Sequence, residues 1–297
     1  MTVFVTGVNG QLGHDVVIEL IMRGHTAIGS GRANKAAADA TPYVALDITD
    51  REAVLRTIED LRPDAIIHCA AWTAVDAAED GENREKVDQI NHLGTRYLAE
   101  AAKAVDAKLM YLSTDYVFDG RGEDAWEADG ERFAPMNVYG QSKLDGERAV
   151  SDLLQNYFIV RTAWAFGCNG KNFVRTMLEL GKTHDAVRVV SDQIGTPTFT
   201  RDLARLLVDM IETEKYGVYH ATNEGGYISW YDFACEIYRQ AGLRTTVYPV
   251  TTAEYGRCKA ARPRNSRLDK RKLIDAGFTP LPPWQDALGR YLKEIEG

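Results

Sequence analysis

The chain has 297 residues, of which 45% are hydrophobic and 26% charged, with a formal net charge of −8. That length holds one large domain or two ordinary ones, and the composition is that of a globular protein. The acidic balance argues against general nucleic-acid binding, and no run of about eighteen apolar residues offers a membrane span. Four cysteines (Cys69, Cys168, Cys235, Cys258) are too dispersed for a zinc site or a disulfide framework.

Met1–Gly7, "MTVFVTG", reads as a short strand that stops at glycine, without the basic and apolar parts of a signal peptide, so a cytoplasmic location is expected. His14 to Arg23 carries Val17, Leu20 and Ile21 at helical spacing, and Gly24 closes it. Thr26–Ile28 and Tyr43–Leu46 read as the next strands. A helix then runs from Asp50, a ready N-cap, to about Leu61, before Pro63. Ala65–Cys69 is a continuous apolar strand, and Arg84 to Val105 reads as one long helix. Leu109–Leu112 and Phe158–Val160 are strands on either side of a helix that begins near Tyr139. After about Trp164 the alternation loosens. Strands at Val187–Val190, Val218–His220 and Thr246–Val250 mix with helices at Thr200–Glu212 and Ser229–Gln240. The latter opens with Ser229 and Asp232 at capping-box spacing.

This rhythm predicts an α/β protein: a Rossmann-type doubly wound parallel sheet followed by a smaller α+β substrate-binding region. The expected division is a dinucleotide-binding domain over residues 1–163 and a substrate-binding region over 164–297. Residues around 214–222 are expected to return to the first sheet.

Thr6–Gly13, "TGVNGQLG", joins the first strand to the first helix. Gly7, Gly10 and Gly13 let a pyrophosphate approach the backbone, while the helix start offers free N–H groups. The second strand ends in Gly29-Ser30-Gly31-Arg32 without a carboxylate to hold ribose hydroxyls. Arg32 suits a 2′-phosphate, which makes NADPH the expected cofactor and NADH the alternative; a solvated or adenine-covering Arg32 is the other reading. Asp47 and Ile48, after the third strand, flank the adenine position, although Asp47 is also a common turn former. In Asn137–Lys143, "NVYGQSK", Tyr139 and Lys143 stand one helical turn apart. That spacing serves a phenol whose pKa the ammonium lowers, or a buried tyrosine lying on a lysine stem. Between Arg257 and Lys272 eight basic residues meet one acid. The window is +7 and the remainder of the chain −15, a pattern of either a solvated loop or an anion-binding segment.

With the glycine turn in place, Y-x-x-x-K, Asn91–Thr95 and Leu112–Asp115 resemble the extended short-chain dehydrogenase/reductase superfamily. The further stretches "CAAWTAVD" (69–76), "STDYVFDG" (113–120), "RTAW" (161–164), "DQIGTPT" (192–198), Trp230-Tyr231-Asp232 and "ARPRNSRL" (261–268) resemble its dTDP-4-dehydrorhamnose reductase family, nearly end to end. The resemblance implies NADPH-dependent reduction of a C4 ketone on a dTDP-linked deoxysugar, the last step in supplying rhamnose for cell-surface polysaccharide. It implies Tyr139 as acid/base, Lys143 on the nicotinamide ribose, and Thr114 on the substrate oxygen. By the same resemblance, Gly10, Gln11, Leu12, Ala70, Ala71 and Trp72 face the cofactor, Thr114, Asp115 and Trp164 face the sugar, and Arg262 and Arg267 face the diphosphate; ordinary core packing at the domain junction is the other reading of Trp164.

Sugar-nucleotide dehydratases that resemble this chain carry Thr-Asp-Glu where Thr114-Asp115-Tyr116 stands, so elimination is not expected. Two alternatives share the pattern: a reductase of another 4-keto-deoxysugar nucleotide, and a non-catalytic NADP-binding subunit resembling methionine adenosyltransferase β. Some family members are magnesium-linked dimers. Asp15 stands at one such place, its partners are not evident, and metal dependence and the choice between monomer and homodimer stay open.

Overall fold

The computed structural model describes residues 1–33 and 42–296. The expected α/β architecture is present. Strand β1 (Thr2–Thr6) leads through the glycine turn into helix α1 (Gln11–Met22). Then follow β2 (Thr26–Gly31), β3 (Tyr43–Ala45), α2 (Arg51–Leu61) and β4 (Ala65–His68). The next units are α3 (Gly94–Val105), β5 (Lys108–Thr114), α4 (Val138–Leu153) and β6 (Tyr157–Thr162). After α5 (Phe173–Thr183) and α6 (Thr200–Ile211), β7 (Gly217–His220) returns to pair with β6. The seven strands lie in the order β7-β6-β5-β4-β1-β2-β3, all parallel. The order reverses between β1 and β4, where the carboxyl ends of the strands open the crevice in which such sheets take ligands.

Buried apolar strands require cover on both faces. On one face Val3, Val5, Ile67 and Met110 pack with Leu20 of α1 and with Leu203 and Leu207 of α6. Leu273, Phe278 and Leu281 join the same core. On the other, Phe4, Ile66, Leu109 and Tyr111 pack with Ile58 of α2, Leu98 of α3 and Val150 of α4. Residues from beyond position 200 thus complete the core of the sheet. A third core gathers Phe166, Phe199, Phe233, Trp284 and Tyr291, with α7 (Trp230–Gln240) and α8 (Trp284–Glu296).

The long helix expected over 84–105 is not uniform. A short α segment, Arg84–Asp88, passes through a π turn, Gln89–Leu93, into α3. One residue beyond helical spacing is invisible in the apolar pattern, yet it redirects Asn91 into the interior, where it is 1% exposed.

Candidate active site

The glycine turn is shaped first by backbone crowding. Gly7 has φ of +71°, and a Cβ there would lie 2.6 Å from the Ala70 nitrogen; one on Gly13 would lie 2.4 Å from the Gly7 carbonyl oxygen. Gly10 is the N-cap of α1. No side chain caps this helix and no acidic residue occupies its first turn. Such an end presents N–H groups and a positive dipole, and the residues therefore fit a dinucleotide diphosphate. Leu12 packs against the core below. The Gln11 side chain reaches across to a later loop: its Oε1 accepts from the Gly167 N–H (2.8 Å) and from Asn172 Nδ2 (2.9 Å). Asn169 Nδ2 in turn donates to the carbonyls of Asn9 (3.2 Å) and Gly10 (3.3 Å). The loop 167–172 is therefore latched onto the phosphate turn, a contact between residues some 160 positions apart that no local motif reveals.

At the end of β2, Arg32 is exposed and Ser30 Oγ is buried without a hydrogen-bond partner. Asp47 acts as the turn former: its carboxylate accepts from the Thr49 N–H (3.0 Å) and hydroxyl (2.8 Å). Ile48 is buried against Gly94.

Beyond β4, Ala70, Ala71 and Trp72 are half-buried along the crevice. Asn91 clamps this loop. Its Oδ1 accepts from the Trp72 N–H (2.8 Å), and its Nδ2 donates to the Trp72 carbonyl (3.1 Å) and to Ser142 Oγ (3.0 Å). Ser142 donates to the Tyr139 carbonyl at 2.8 Å, so cofactor loop and candidate catalytic helix share one anchor. Beneath it a buried chain runs in one direction. The Ala70 N–H donates to Thr6 Oγ1 (3.1 Å), and Thr95 Oγ1 donates to the Asn91 carbonyl (2.8 Å). Thr95 therefore accepts from His68 Nε2 (3.1 Å), which leaves Nδ1 to accept from Thr6 (2.7 Å). Burial, with Lys143 adding to it, depresses the imidazole to about 3, consistent with this neutral tautomer.

Asn137 caps α4 by accepting from the Gly140 N–H at 2.7 Å, and so fixes where Tyr139 and Lys143 project. The Tyr139 hydroxyl lies beside Thr114 at the end of β5. Its ring meets Tyr116 edge-on at 5.5 Å. The expected easing of Tyr139 toward phenolate is reversed. Burial raises its pKa, the neighbouring Thr114 hydroxyl opposes this, and Asp115 and Tyr116 add to the rise. The phenol stays loaded with its proton. Lys143 is 3% exposed, with its ammonium 4.1 Å from the centre of the Tyr111 ring. Burial pulls it down to about 7, opposed by Glu147 and Cys69.

Asp115 is 2% exposed and has been pushed up to about 6 by burial. Its Oδ1 accepts from Thr114 Oγ1 at 2.9 Å and its Oδ2 from Ser266 Oγ. Ser266 lies in the basic segment, most of which is matched to carboxylates. Lys259 pairs with Asp80 (2.8 Å), Arg262 with Asp76 (2.7 Å), Lys270 with Glu224 (3.0 Å), and Lys272 with Asp129. Arg262 also donates to the Tyr116 hydroxyl at 3.1 Å, one ring away from Tyr139, whereas Arg267 bonds Asn265 at 3.0 Å. Much of the excess charge is thus taken up by ion pairs that tie the segment to Asp76, Asp80 and Asp129 in the first half of the chain and to Glu224 in the second.

Trp164 sits at φ +52°, a left-handed conformation that costs a bulky residue about 1–3 kcal/mol. Its indole stacks on Trp230 with ring centroids 3.8 Å apart. Asp15 is buried, its Oδ2 accepting from Thr200 Oγ1 at 2.5 Å. Among the described residues no group of three or more His, Cys, Asp or Glu is arranged to hold a metal ion. Among them, too, no helix is long and apolar enough to cross a membrane.

Sheet order, glycine turn and the tyrosine–lysine helix define a Rossmann-type protein of the extended short-chain dehydrogenase/reductase class. Within that class the chain belongs to the RmlD substrate binding domain family, whose model matches residues 1–296. It is 41% identical over 291 residues to a dTDP-4-dehydrorhamnose reductase of Streptomyces griseus, covering 96% of this chain and 90% of the relative. It is 38% identical over 286 residues to a dTDP-4-keto-6-deoxy-D-glucose reductase of Streptomyces niveus, covering 96% and 94%. Among solved structures it resembles dTDP-4-dehydrorhamnose reductase from Bacillus anthracis in complex with NADP, with a TM-score of 0.90, 40% identity and 99% of each chain covered.

Proposed function

We propose that this chain reduces the C4 ketone of dTDP-4-dehydro-L-rhamnose to dTDP-L-rhamnose with NADPH, the last step in forming that activated sugar, and does so in the cytoplasm. The observation that carries the proposal is the convergence of Tyr139 and Thr114 beside the loop that Asn91 ties, through Ser142, to the helix bearing Tyr139. NADPH, when bound, supplies the hydride. The uncapped end of α1 takes the diphosphate, Arg32 takes the 2′-phosphate, and Ala70 to Trp72 border the ring.

Tyr139 delivers its proton to the oxygen that becomes an alkoxide. Thr114 holds that oxygen beside Tyr139 by turning its one hydroxyl proton from Asp115 to the substrate. Lys143 grips the ribose and supplies positive charge, which favours the same phenolate. Asp115 and Trp164 border the sugar, with Arg262 and Arg267 toward the diphosphate. In this reading residues 1–163 carry the cofactor and residues from 164 onward carry the sugar nucleotide.

A second reading, a reductase of a different 4-keto-deoxysugar nucleotide, draws on the similarity to the Streptomyces niveus protein named above. A non-catalytic NADP-binding role is disfavoured because Thr114, Tyr139 and Lys143 are all present and assembled. Oxidation of NADPH and of NADH should be followed against a panel of 4-keto-deoxysugar nucleotides. The expected result is the highest kcat/KM for dTDP-4-dehydro-L-rhamnose with NADPH. Preference for another keto-sugar would support the second reading, and binding of NADPH without turnover on any of them would support the third.

A further inference from the structure

Trp230 belongs to a stretch whose role the reaction does not explain, yet everything around it converges on Trp164. The bond network fixes Trp164 from both sides. Thr198 Oγ1 donates to the Ala163 carbonyl at 2.6 Å, and the Thr198 N–H donates to the Trp164 carbonyl at 3.1 Å. These two bonds hold the peptide groups before and after a residue at φ +52°, a backbone region unfavourable to a side chain of that size.

The indole is then held by its neighbours. Trp230 stacks on it at 3.8 Å with the ring planes 16° apart, and Phe173 and Phe233 back Trp230 at 4.6 Å and 6.3 Å. Residue 195 has to be glycine, since a Cβ there would lie 2.9 Å from Trp164 Cε2 and 3.0 Å from Ser266 Cβ. The position of Trp230 is itself set. Ser229 and Asp232 form the capping box that starts α7, and Ser229 and Ile228 pair antiparallel with Ile194 and Gly195. Ser266 donates to Asp115, the neighbour of Thr114, so this aromatic pair adjoins the candidate reaction centre.

We infer that Trp230 is a positioning residue for sugar-nucleotide binding: by stacking on Trp164 it holds that indole in its left-handed backbone setting, so the sugar side of the cleft is built before ligand arrives. The inference rests on the reading that Trp164 faces the sugar. Preset aromatic walls bind more tightly because less freedom is lost when the ligand docks. The ligand class is the deoxysugar nucleotide, and the cofactor half of the crevice is not involved.

The test compares wild type with Trp230→Leu, Trp230→Phe, Trp164→Leu and the double leucine variant. Calorimetry gives the Kd for dTDP-L-rhamnose and for NADPH, and steady-state kinetics give kcat and KM. The inference expects Trp230→Leu to raise Kd and KM for the sugar nucleotide about three- to tenfold, as for loss of one aromatic stack. It expects kcat to fall by less than KM rises, and the NADPH Kd to stay within about twofold of wild type. Trp230→Phe should recover most of the loss, and the double variant should bind no worse than Trp164→Leu, because coupled residues are not additive. If Trp164→Leu weakens sugar-nucleotide binding and Trp230→Leu does not, the inference is wrong while the reading of Trp164 stands. If Trp164→Leu itself leaves that binding intact, the reading of Trp164 is wrong. Should both Trp230 variants weaken NADPH and sugar nucleotide alike, or both fail to fold, Trp230 is core packing only.

Discussion

Asp115 is a buried carboxylate whose two oxygens are occupied by hydroxyls, from Thr114 and Ser266. Burial lifts it from 3.8 to about 6, so at neutral pH the fold carries an ionised group it disfavours. The folded-state value lies above the unfolded one. The cost of ionisation is therefore nil below about 4 and grows to its full size as pH rises through 6. Asp115→Asn removes the charge, still accepts from one hydroxyl and donates its Nδ2–H to the other once that hydroxyl turns, and should stabilise the protein by about 1–3 kcal/mol at pH 8. Thermal unfolding across pH should show that gain shrinking toward pH 4; a gain independent of pH would refute the assignment. Selection for a site that costs stability fits a group placed for chemistry. Tyr139 and Lys143 stand out in the sequence because one helical turn separates them, whereas Thr114 is reached only through the resemblance. Ser266 does not stand out, since it meets Asp115 across 151 residues.

At the scale of elements, α4 carries more than the tyrosine. Glu147, one turn after Lys143, takes a bidentate grip from Arg161 of β6, at 2.8 Å from Nε and 2.7 Å from Nη2, and accepts from Ser113 of β5 at 2.5 Å. Arg161 is 2% exposed and also donates to the Ala128 carbonyl at 3.1 Å. The pair ties the helix to two strands of the sheet. Arg161→Met would strand a buried carboxylate, and the expected loss is about 3–5 kcal/mol in denaturant unfolding. A loss below about 1 kcal/mol would mean the pair is solvated. The sequence shows Arg161 directly after an apolar strand but not its partner on the preceding helix. The π turn at 89–93 is hidden for a related reason, because apolar spacing registers a helix and not the single residue that widens it.

The whole molecule is sewn together more tightly than a two-part division of the chain suggests. Helix α6 and residues 273–281 complete the core under the sheet, the loop 167–172 latches the phosphate turn, and the basic segment pairs with Asp76 of the first half and Glu224 of the second. Alternating strands and helices make the sheet legible, and the return of Val218–His220 follows from its apolarity. The interleaved core rests on long-range packing that periodicity does not encode. Calorimetry should therefore give one cooperative unfolding transition, raised by about 2.7 kcal/mol at NADPH concentrations near 100 times Kd. Two separate transitions, with only the first responding to NADPH, would contradict a shared core.

The central claim is that Tyr139 gives the proton for ketone reduction from a site the cofactor can occupy without it. Its most direct test follows NADPH absorbance with dTDP-4-dehydro-L-rhamnose for wild type and Tyr139→Phe, with NADPH affinity measured on both. The account predicts a fall in kcat of about 100-fold or more in the variant, with NADPH affinity within about twofold of wild type. A phenylalanine variant that keeps most of its turnover would contradict it.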